Sequence, residues 1–303
     1  MSAPSRRILI TGAGGFVGRA VARRLVRSGV EILGLYRNTL PTQLADLPSV
    51  SLIRASLEDP SAELPPKIDA VVHCAAEVPA TCPDEAILIE RNVEGTRRLF
   101  DHARREGVHR IIYCSSMAVY GAITVDLVRE STPIQEPGAY GRSKHAGERM
   151  LDEFVSNAPE ISAVSLRLPG VVGVGGRNNF LCDTLPRLLA GEAVSARNPE
   201  ALFNNVVHVE DLAAFIARLV FEPSNEGHVV SLLGASEPLT IREILSTMYR
   251  VAGVEENVTY ATGGRPFLID TEYLRSLGFQ PPPVRDVITR FVRDWLSAAA
   301  GAA

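Results

Sequence analysis

The chain has almost no lysine. Of its 31 lysine and arginine residues only Lys67 and Lys144 are lysines, so arginine is the default cation. A basic excess is also missing. The formal net charge is −4, which argues against a nucleic-acid footprint. No stretch approaches the roughly 20 apolar residues of a membrane span. Met1 to Arg7 is polar and the apolar run after it is short and glycine-bound, so no secretory signal is read there. The four cysteines, Cys74, Cys82, Cys114 and Cys182, show no C-x-x-C spacing. Cys74 and Cys114 lie in apolar runs and read as core thiols, which points to a reducing, cytoplasmic compartment. The six histidines form no ligand spacing, so no metal is expected. The expected partner is a small-molecule substrate, with neither nucleic acid nor membrane.

What is present suits a globular protein with a large core: 303 residues, 46% hydrophobic and 22% charged. Short apolar strands are predicted at Ile8–Thr11, Glu31–Tyr36, Ser51–Arg54, Asp69–His73, Arg110–Ser115 and Ser162–Leu168. Helices are predicted at Phe16–Ser28, Pro83–Glu106 and Tyr140–Ser156. The alternation predicts an α/β fold, a doubly wound parallel sheet. After Leu168 the chain turns glycine- and asparagine-rich, with shorter segments and helices near Phe180–Ala190, Thr240–Val251 and Val284–Ala298. A dinucleotide-binding domain is expected over 1–168 plus about 204–223. A smaller, discontinuous substrate domain is expected over about 169–203 plus 224–303, its tail from Ala298 frayed.

Two motifs carry chemistry. The first is Gly12-Ala13-Gly14-Gly15-Phe16-Val17-Gly18, directly after the first strand and opening a helix. Glycines there permit a tight turn and let the backbone approach a pyrophosphate, and the helix N-terminus offers unpaired N–H donors. The second is Tyr140 followed four residues later by Lys144. On a helix the two share a face, and the ammonium would favour loss of the phenol proton. A surface tyrosine stacked on a lysine stem is the alternative use of the same spacing.

With both motifs in hand, the chain resembles the extended short-chain dehydrogenases/reductases of the NAD-dependent epimerase/dehydratase type, over nearly its full length. Thr11-Gly12-x-x-Gly15-x-x-Gly18 is similar to the family's glycine signature. So are His73-Cys74-Ala75-Ala76, Asn92-Val93-Glu94-Gly95-Thr96, Ser115 to Gly121, Arg167 to Gly173, and Val207 to Asp211. The resemblance implies NAD or NADP held by Gly12, Gly15, Phe16, Val17, Gly18, Arg37, Ser56 and Leu57. Cys74, Ala75, Ala76, Asn92, Tyr140, Lys144 and Pro169 complete that implied set. It implies a catalytic set of Ser116, Tyr140 and Lys144. Ser116 would hydrogen-bond the reacting oxygen, Tyr140 would move its proton, and Lys144 would lower the tyrosine pKa and bind the nicotinamide ribose. A strand-end serine also caps turns, a task expected of Ser115. Ser116, Asn179 and Arg265 are candidate substrate contacts, although a loop arginine such as Arg265 reads equally as plain surface. The resemblance also implies a homodimer through helices Pro83–Glu106 and Tyr140–Ser156, with Ile87, Val93, Leu99, Met150, Leu151 and Phe154 as apolar candidates.

Departures from the family pattern narrow the expectation. The acid that ends the second strand and holds a ribose hydroxyl is absent, and Tyr36 followed by Arg37 stands there. An arginine can meet a 2′-phosphate, so NADP is slightly favoured over NAD. Ser56 replaces an adenine-contacting aspartate. Met117-Ala118 replace the carboxylate pair of sugar dehydratases, so dehydration is not expected. Asn204 replaces an arginine that epimerases place on a UDP pyrophosphate. The expected activity is hydride transfer at a secondary alcohol or ketone of a sugar or nucleotide-sugar. The alternatives are an epimerase with tightly held NAD and, from another class, a non-catalytic dinucleotide sensor.

Overall fold

The computed structural model describes residues 6–158, 160–222 and 227–301. Ser224, the expected start of the last domain segment, and Ala302 and Ala303 of the expected frayed tail lie outside the described residues.

The chain begins β1 (Arg7–Thr11), α1 (Phe16–Val26), β2 (Glu31–Tyr36), α2 (Thr42–Ala45), β3 (Val50–Arg54) and β4 (Ala70–His73). It continues α3 (Glu85–Arg105), β5 (Arg110–Ser116), a 3₁₀ turn (Met117–Tyr120), β6 (Leu127–Val128), α4 (Ala139–Ser156), β7 (Ser162–Leu168) and β8 (Gly170–Val172). Then come α5 (Phe180–Leu189), β9 (Val194–Arg197), β10 (Leu202–Phe203), β11 (Val206–His208), α6 (Val209–Phe221) and β12 (His228–Leu232). The last are β13 (Leu239–Thr240), α7 (Ile241–Ala252), β14 (Val258–Ala261), β15 (Leu268–Ile269), α8 (Glu272–Ser276) and α9 (Val284–Ala300).

A seven-stranded sheet runs in the order β12-β7-β5-β4-β1-β2-β3, with β3, β2, β1, β4 and β5 paired in parallel. This is the doubly wound, Rossmann-type sheet. Its central strands are continuous apolar runs because helices cover both faces. Ile8, Leu9 and Ile10 are fully buried, as is β4 throughout. Helix α1 turns Gly18, Ala20, Val21 and Leu25 inward and leaves Arg23 and Arg24 at its C-terminal end, where the helix dipole favours cations. Helix α3 starts at Asp84, whose carboxylate accepts from the Ala86 and Ile87 amides at 3.0 Å.

The chain divides into two compact units: Met1–Gly121, Glu136–Arg167 and Glu210–Ser231 in the first, and Ala122–Gln135, Leu168–Val209 and Leu232–Ala303 in the second. Three expected boundaries are corrected. β12 joins the seven-stranded sheet instead of the second unit. The segment 122–135 leaves the first unit because β6 pairs with β15. Residues 204–209 stay with the second unit because β11 pairs with β8.

The first unit's core gathers Leu9, Leu33, Val71, Phe100, Ile111 and Tyr113. Leu99, Leu151 and Phe154, expected on a dimer face, are buried in that same core. Ile87, Val93 and Met150 retain exposure. The second unit packs α5, α7 and α9 through Leu181, Leu185, Ile244, Met248, Val287 and Phe291. Among the described residues no helix is long and apolar enough to cross a membrane.

Candidate functional site

In the first unit, a cavity of about 220 Å³ opens along the carboxyl ends of β1, β2 and β4. Of the expected cofactor residues, Gly12, Gly15, Arg37, Ser56 and Leu57 line it. So do Cys74, Ala75, Ala76 and Asn92. Phe16 and Val17 stand in the first turn of α1, and Gly18 is buried. Pro169 belongs to the second unit.

The turn after β1 needs its glycines. Gly12 has φ +67°, and a Cβ there would come within 2.9 Å of the Ala75 backbone. A Cβ on Gly18 would collide with the Gly12 carbonyl. Gly15 caps α1 in extended conformation with no side chain over the helix end, so the positive end of the helix faces the cavity.

The floor is set by His73. Its Nδ1 lies 2.7 Å from Thr11 Oγ1 and its Nε2 lies 3.0 Å from Thr96 Oγ1, which ties β1, β4 and α3 together. Burial first, and the charge of Lys144 second, hold its pKa well below the ordinary value, so the imidazole is neutral. Asn92 clamps the loop after β4. Its Oδ1 accepts from the Glu77 amide at 2.7 Å, while its Nδ2 donates to the Glu77 carbonyl and to Ser143 Oγ, each at 3.0 Å.

Ser116, Tyr140 and Lys144 come together beyond Cys74. The Cys74 and Cys114 sulfurs are 3.5 Å apart on adjacent strands. Lys144 is 3% exposed, and its Nζ donates to the Cys114 carbonyl at 2.7 Å. The same nitrogen stands 4.8 Å from the Tyr113 ring centre and 5.9 Å from that of Tyr140. Ser116 is the group that pulls the Tyr140 phenol pKa downward. Helix α4 reaches this close because of Gly141 and Gly147, where a Cβ would collide with the Ala118 carbonyl and the Tyr113 ring.

Two details differ from expectation. Ser116, and not Ser115, caps the 3₁₀ turn, accepting from the Ala118 amide at 3.1 Å. Ser115 instead donates to Glu148 Oε1 at 2.6 Å. The expected lowering of the phenol pKa is not what the polypeptide alone produces. Desolvation pushes Tyr140 up to about 12, with Ser116 pulling the other way. Desolvation also pulls Lys144 down to about 8, because its ammonium faces a carbonyl and two rings. Tyr140 therefore carries its proton at neutral pH and stands ready as a donor.

Behind this corner lies a buried ion pair. Arg167 donates from Nε and Nη2 to the two Glu148 oxygens at 3.0 and 2.7 Å, and from Nη1 to Tyr120 Oη at 2.7 Å. Glu148 sits one turn past Lys144. The pair thus locks α4 to β5, β7 and the 3₁₀ turn.

At the other end of the cavity, Arg37 does not point freely into space. Its Nη1 is shared between Glu77, in a short contact, and Glu58 at 3.3 Å. Arg91 also reaches Glu77, at 3.2 Å. Sequence reasoning missed Glu58, Glu77 and Arg91. Each adjoins a recognised residue, following Leu57, following Ala76 and preceding Asn92, and that adjacency was the only signal.

In the second unit, Asn179 caps α5, accepting from the Cys182 amide at 3.0 Å and donating to the Val171 carbonyl at 3.1 Å. Asn204 is buried; it pairs with both backbone groups of Ile269 at 2.8 Å and donates to the Ala235 carbonyl at 3.2 Å. Arg265 lines a second cavity, about 200 Å³, with Arg197, Phe203, Asn205 and Phe267. Its guanidinium pairs with Asp126 at 2.8 Å.

Residues 8–232 match the family described as the NAD dependent epimerase/dehydratase family. A UDP-glucose 4-epimerase of Streptomyces lividans is 28% identical over 273 residues, 82% of each chain. A dTDP-4-dehydro-6-deoxy-D-allose reductase of a Streptomyces species is 28% identical over 306 residues, 92% of this chain and 93% of the relative. The NAD complex of the Thermus thermophilus UDP-glucose 4-epimerase superposes with a TM-score of 0.81 at 23% identity, over 96% of this chain and 99% of that one. With the glycine turn, the sheet order and a family match spanning most of its length, this chain belongs to the NAD-dependent epimerase/dehydratase family, a branch of the extended short-chain dehydrogenases/reductases.

Proposed function

We propose that the chain transfers a hydride at a secondary alcohol or ketone carbon of a nucleotide-sugar, with NAD or NADP as cofactor. The observation that carries this reading is the buried Lys144 ammonium 5.9 Å from the Tyr140 ring, with Ser116 acting on the same phenol. The glycine turn fits a dinucleotide, since its tight course depends on having no Cβ at Gly12 or Gly18, where one would strike the backbone of Ala75 or Gly12. Gly12 and Gly15 with the start of α1 would hold the pyrophosphate, and Ser56 and Leu57 would line the adenosine end. The bound dinucleotide supplies the hydride donor or acceptor. The chain's own residues handle the proton. Ser116 donates to the substrate oxygen, Tyr140 passes its proton to that oxygen or takes it back, and the Lys144 charge favours the transient phenolate. The second cavity, with two arginines and two phenylalanines, supports a substrate bearing phosphate and an aromatic base. Met117 and Ala118 leave the turn after Ser116 without carboxylates, which argues against water elimination.

A second reading, an epimerase that oxidises and re-reduces one carbon, is favoured by the similarity to a UDP-glucose 4-epimerase. Turnover of UDP- and dTDP-sugars and their 4-keto forms separates the two. A reductase consumes one reduced cofactor per product, and an epimerase converts sugar with no net cofactor change. No conversion of any of these sugars would remove the nucleotide-sugar assignment. The same proposal includes a homodimer, supported by the exposure of Ile87 on α3. It also includes a cytoplasmic site of action, supported by four free thiols. A monomer by light scattering at micromolar concentration would remove the dimer.

A further inference from the structure

Glu77 takes no part in the Ser116–Tyr140 corner, yet its carboxylate is 5% exposed on the wall of the first unit's cavity. Burying a carboxylate needs compensation, and here it is complete. Oε1 accepts from Arg37 and, at 3.2 Å, from Arg91, while Oε2 accepts from Thr81 Oγ1 at 3.0 Å. The Glu77 backbone is clamped on both sides by Asn92. Glu77 is therefore fixed. Glu58 is looser, with a side chain 28% exposed and one contact to Arg37 at 3.3 Å.

Arg37 is the cation that follows β2, where a 2′-phosphate or a ribose hydroxyl would be met. It is already matched. Arg37 and Arg91 face Glu58 and Glu77, so these two guanidiniums are matched by two carboxylates, while Arg54 donates to the Arg37 carbonyl at 3.2 Å. A phosphate monoester would bring about two negative charges beside two carboxylates. It could reach the Arg37 Nε or Nη2, since both contacts use Nη1, but its charge would meet a guanidinium already neutralised by Glu77 and Glu58 and would stand beside those carboxylates. A ribose hydroxyl brings no charge and can donate to a carboxylate.

We infer that Glu77 is a specificity-determining residue: by holding Arg37 as its own counter-ion, it makes this end of the cavity select NAD over NADP. The inference rests on the dinucleotide reading and reverses the slight NADP preference expected from the sequence. Glu77→Gln keeps the shape and removes the charge. The test is equilibrium binding of NAD and NADP to the intact protein, followed by intrinsic fluorescence. Wild type binds NAD the more tightly. In Glu77→Gln the NADP-to-NAD affinity ratio rises about tenfold to a hundredfold, the worth of one freed charge-assisted hydrogen bond. Adding Arg37→Ala to that variant removes the gain, whereas Arg37→Ala alone does not raise the ratio, since it leaves Glu58 and Glu77 less neutralised. Glu58→Gln shifts the ratio the same way by less, and serves if Glu77→Gln unfolds. Binding of both dinucleotides with the ratio unmoved in folded Glu77→Gln or Glu58→Gln would overturn the inference and leave the dinucleotide reading standing. Tighter binding of NADP by wild type would do the same. Binding of neither would overturn both.

Discussion

Around Arg37, charges are paired: the guanidiniums of Arg37 and Arg91 share the carboxylates of Glu58 and Glu77. Beyond Cys74, Lys144 is buried with a carbonyl and two aromatic rings for company, and among the described residues it forms no ion pair. The contrast matches what each region would do under the proposed function. A matched cluster fixes its members and repels added charge, which suits selection. A buried ammonium without a paired carboxylate has a movable pKa, which suits proton transfer. In a chain whose other cations are nearly all arginines, the use of lysine at this position is itself informative.

The strongest way to break the contrast is at Tyr140. Tyr140→Phe keeps the ring and removes the exchangeable proton. Turnover should fall about 10²–10⁴-fold, while dinucleotide affinity stays nearly unchanged. Lys144→Arg sharpens the result. A guanidinium is planar and bulkier, and at 3% exposure there is no room to put its charge in the same place. A steady-state assay showing near-wild-type turnover in either variant would end the catalytic reading.

Next in size is the pair that supports this corner. Arg167→Met leaves Glu148 charged and buried with, among the described residues, only the Ser115 hydroxyl bonded to it. Loss of one partner of a buried pair costs about 3–5 kcal/mol. Urea unfolding should show that loss, and a change under about 1 kcal/mol would mean the pair contributes little.

These groups were unevenly legible in the sequence. The glycine turn and the Tyr140–Lys144 spacing are local patterns, and the structure places them where the strand–turn–helix logic put them. β12 was misassigned because a five-residue strand declares its partner through long-range pairing, which sequence order hides. Asn204 looked like a vacated arginine position, but its amide is spent on the Ile269 backbone, 65 residues away. Arg37 looked free because the carboxylate that holds it lies 40 residues on, across the sheet. Charge pairing is a tertiary property, so a motif can name a residue without saying whether its charge is already matched.

Lys144 also makes a stability prediction. Its folded pKa of about 8 lies below the ordinary 10.5, so between those values the folded state binds fewer protons than the unfolded state. Stability from this group therefore rises with pH from about 8 to about 10.5. At neutral pH the buried ammonium costs on the order of 3 kcal/mol. Lys144→Met should be inactive yet more stable than wild type at pH 7, with the advantage shrinking above about pH 8. Urea midpoints at neutral and alkaline pH would show it, and equal wild-type and variant stability at both would mean the amine is not desolvated.

The smallest effect is expected at Arg265, a weaker counterpart of Arg37 in the second unit. Its partner Asp126 is 88% exposed and its own side chain 54%, against 5% for Glu77. An ion pair that open to water contributes about 0–1 kcal/mol, so Arg265→Ala should leave the unfolding midpoint almost unchanged. The same openness lets Arg265 exchange Asp126 for another anion at little cost, which Arg37 cannot do. If the second cavity takes the substrate's phosphates, Arg265→Ala should raise the KM for a nucleotide-sugar about tenfold to a hundredfold, with kcat nearly constant. Asp126→Asn should leave that KM unchanged or lower it. A KM indifferent to both changes would make Arg265 ordinary surface and leave Arg197 as the remaining arginine of that cavity.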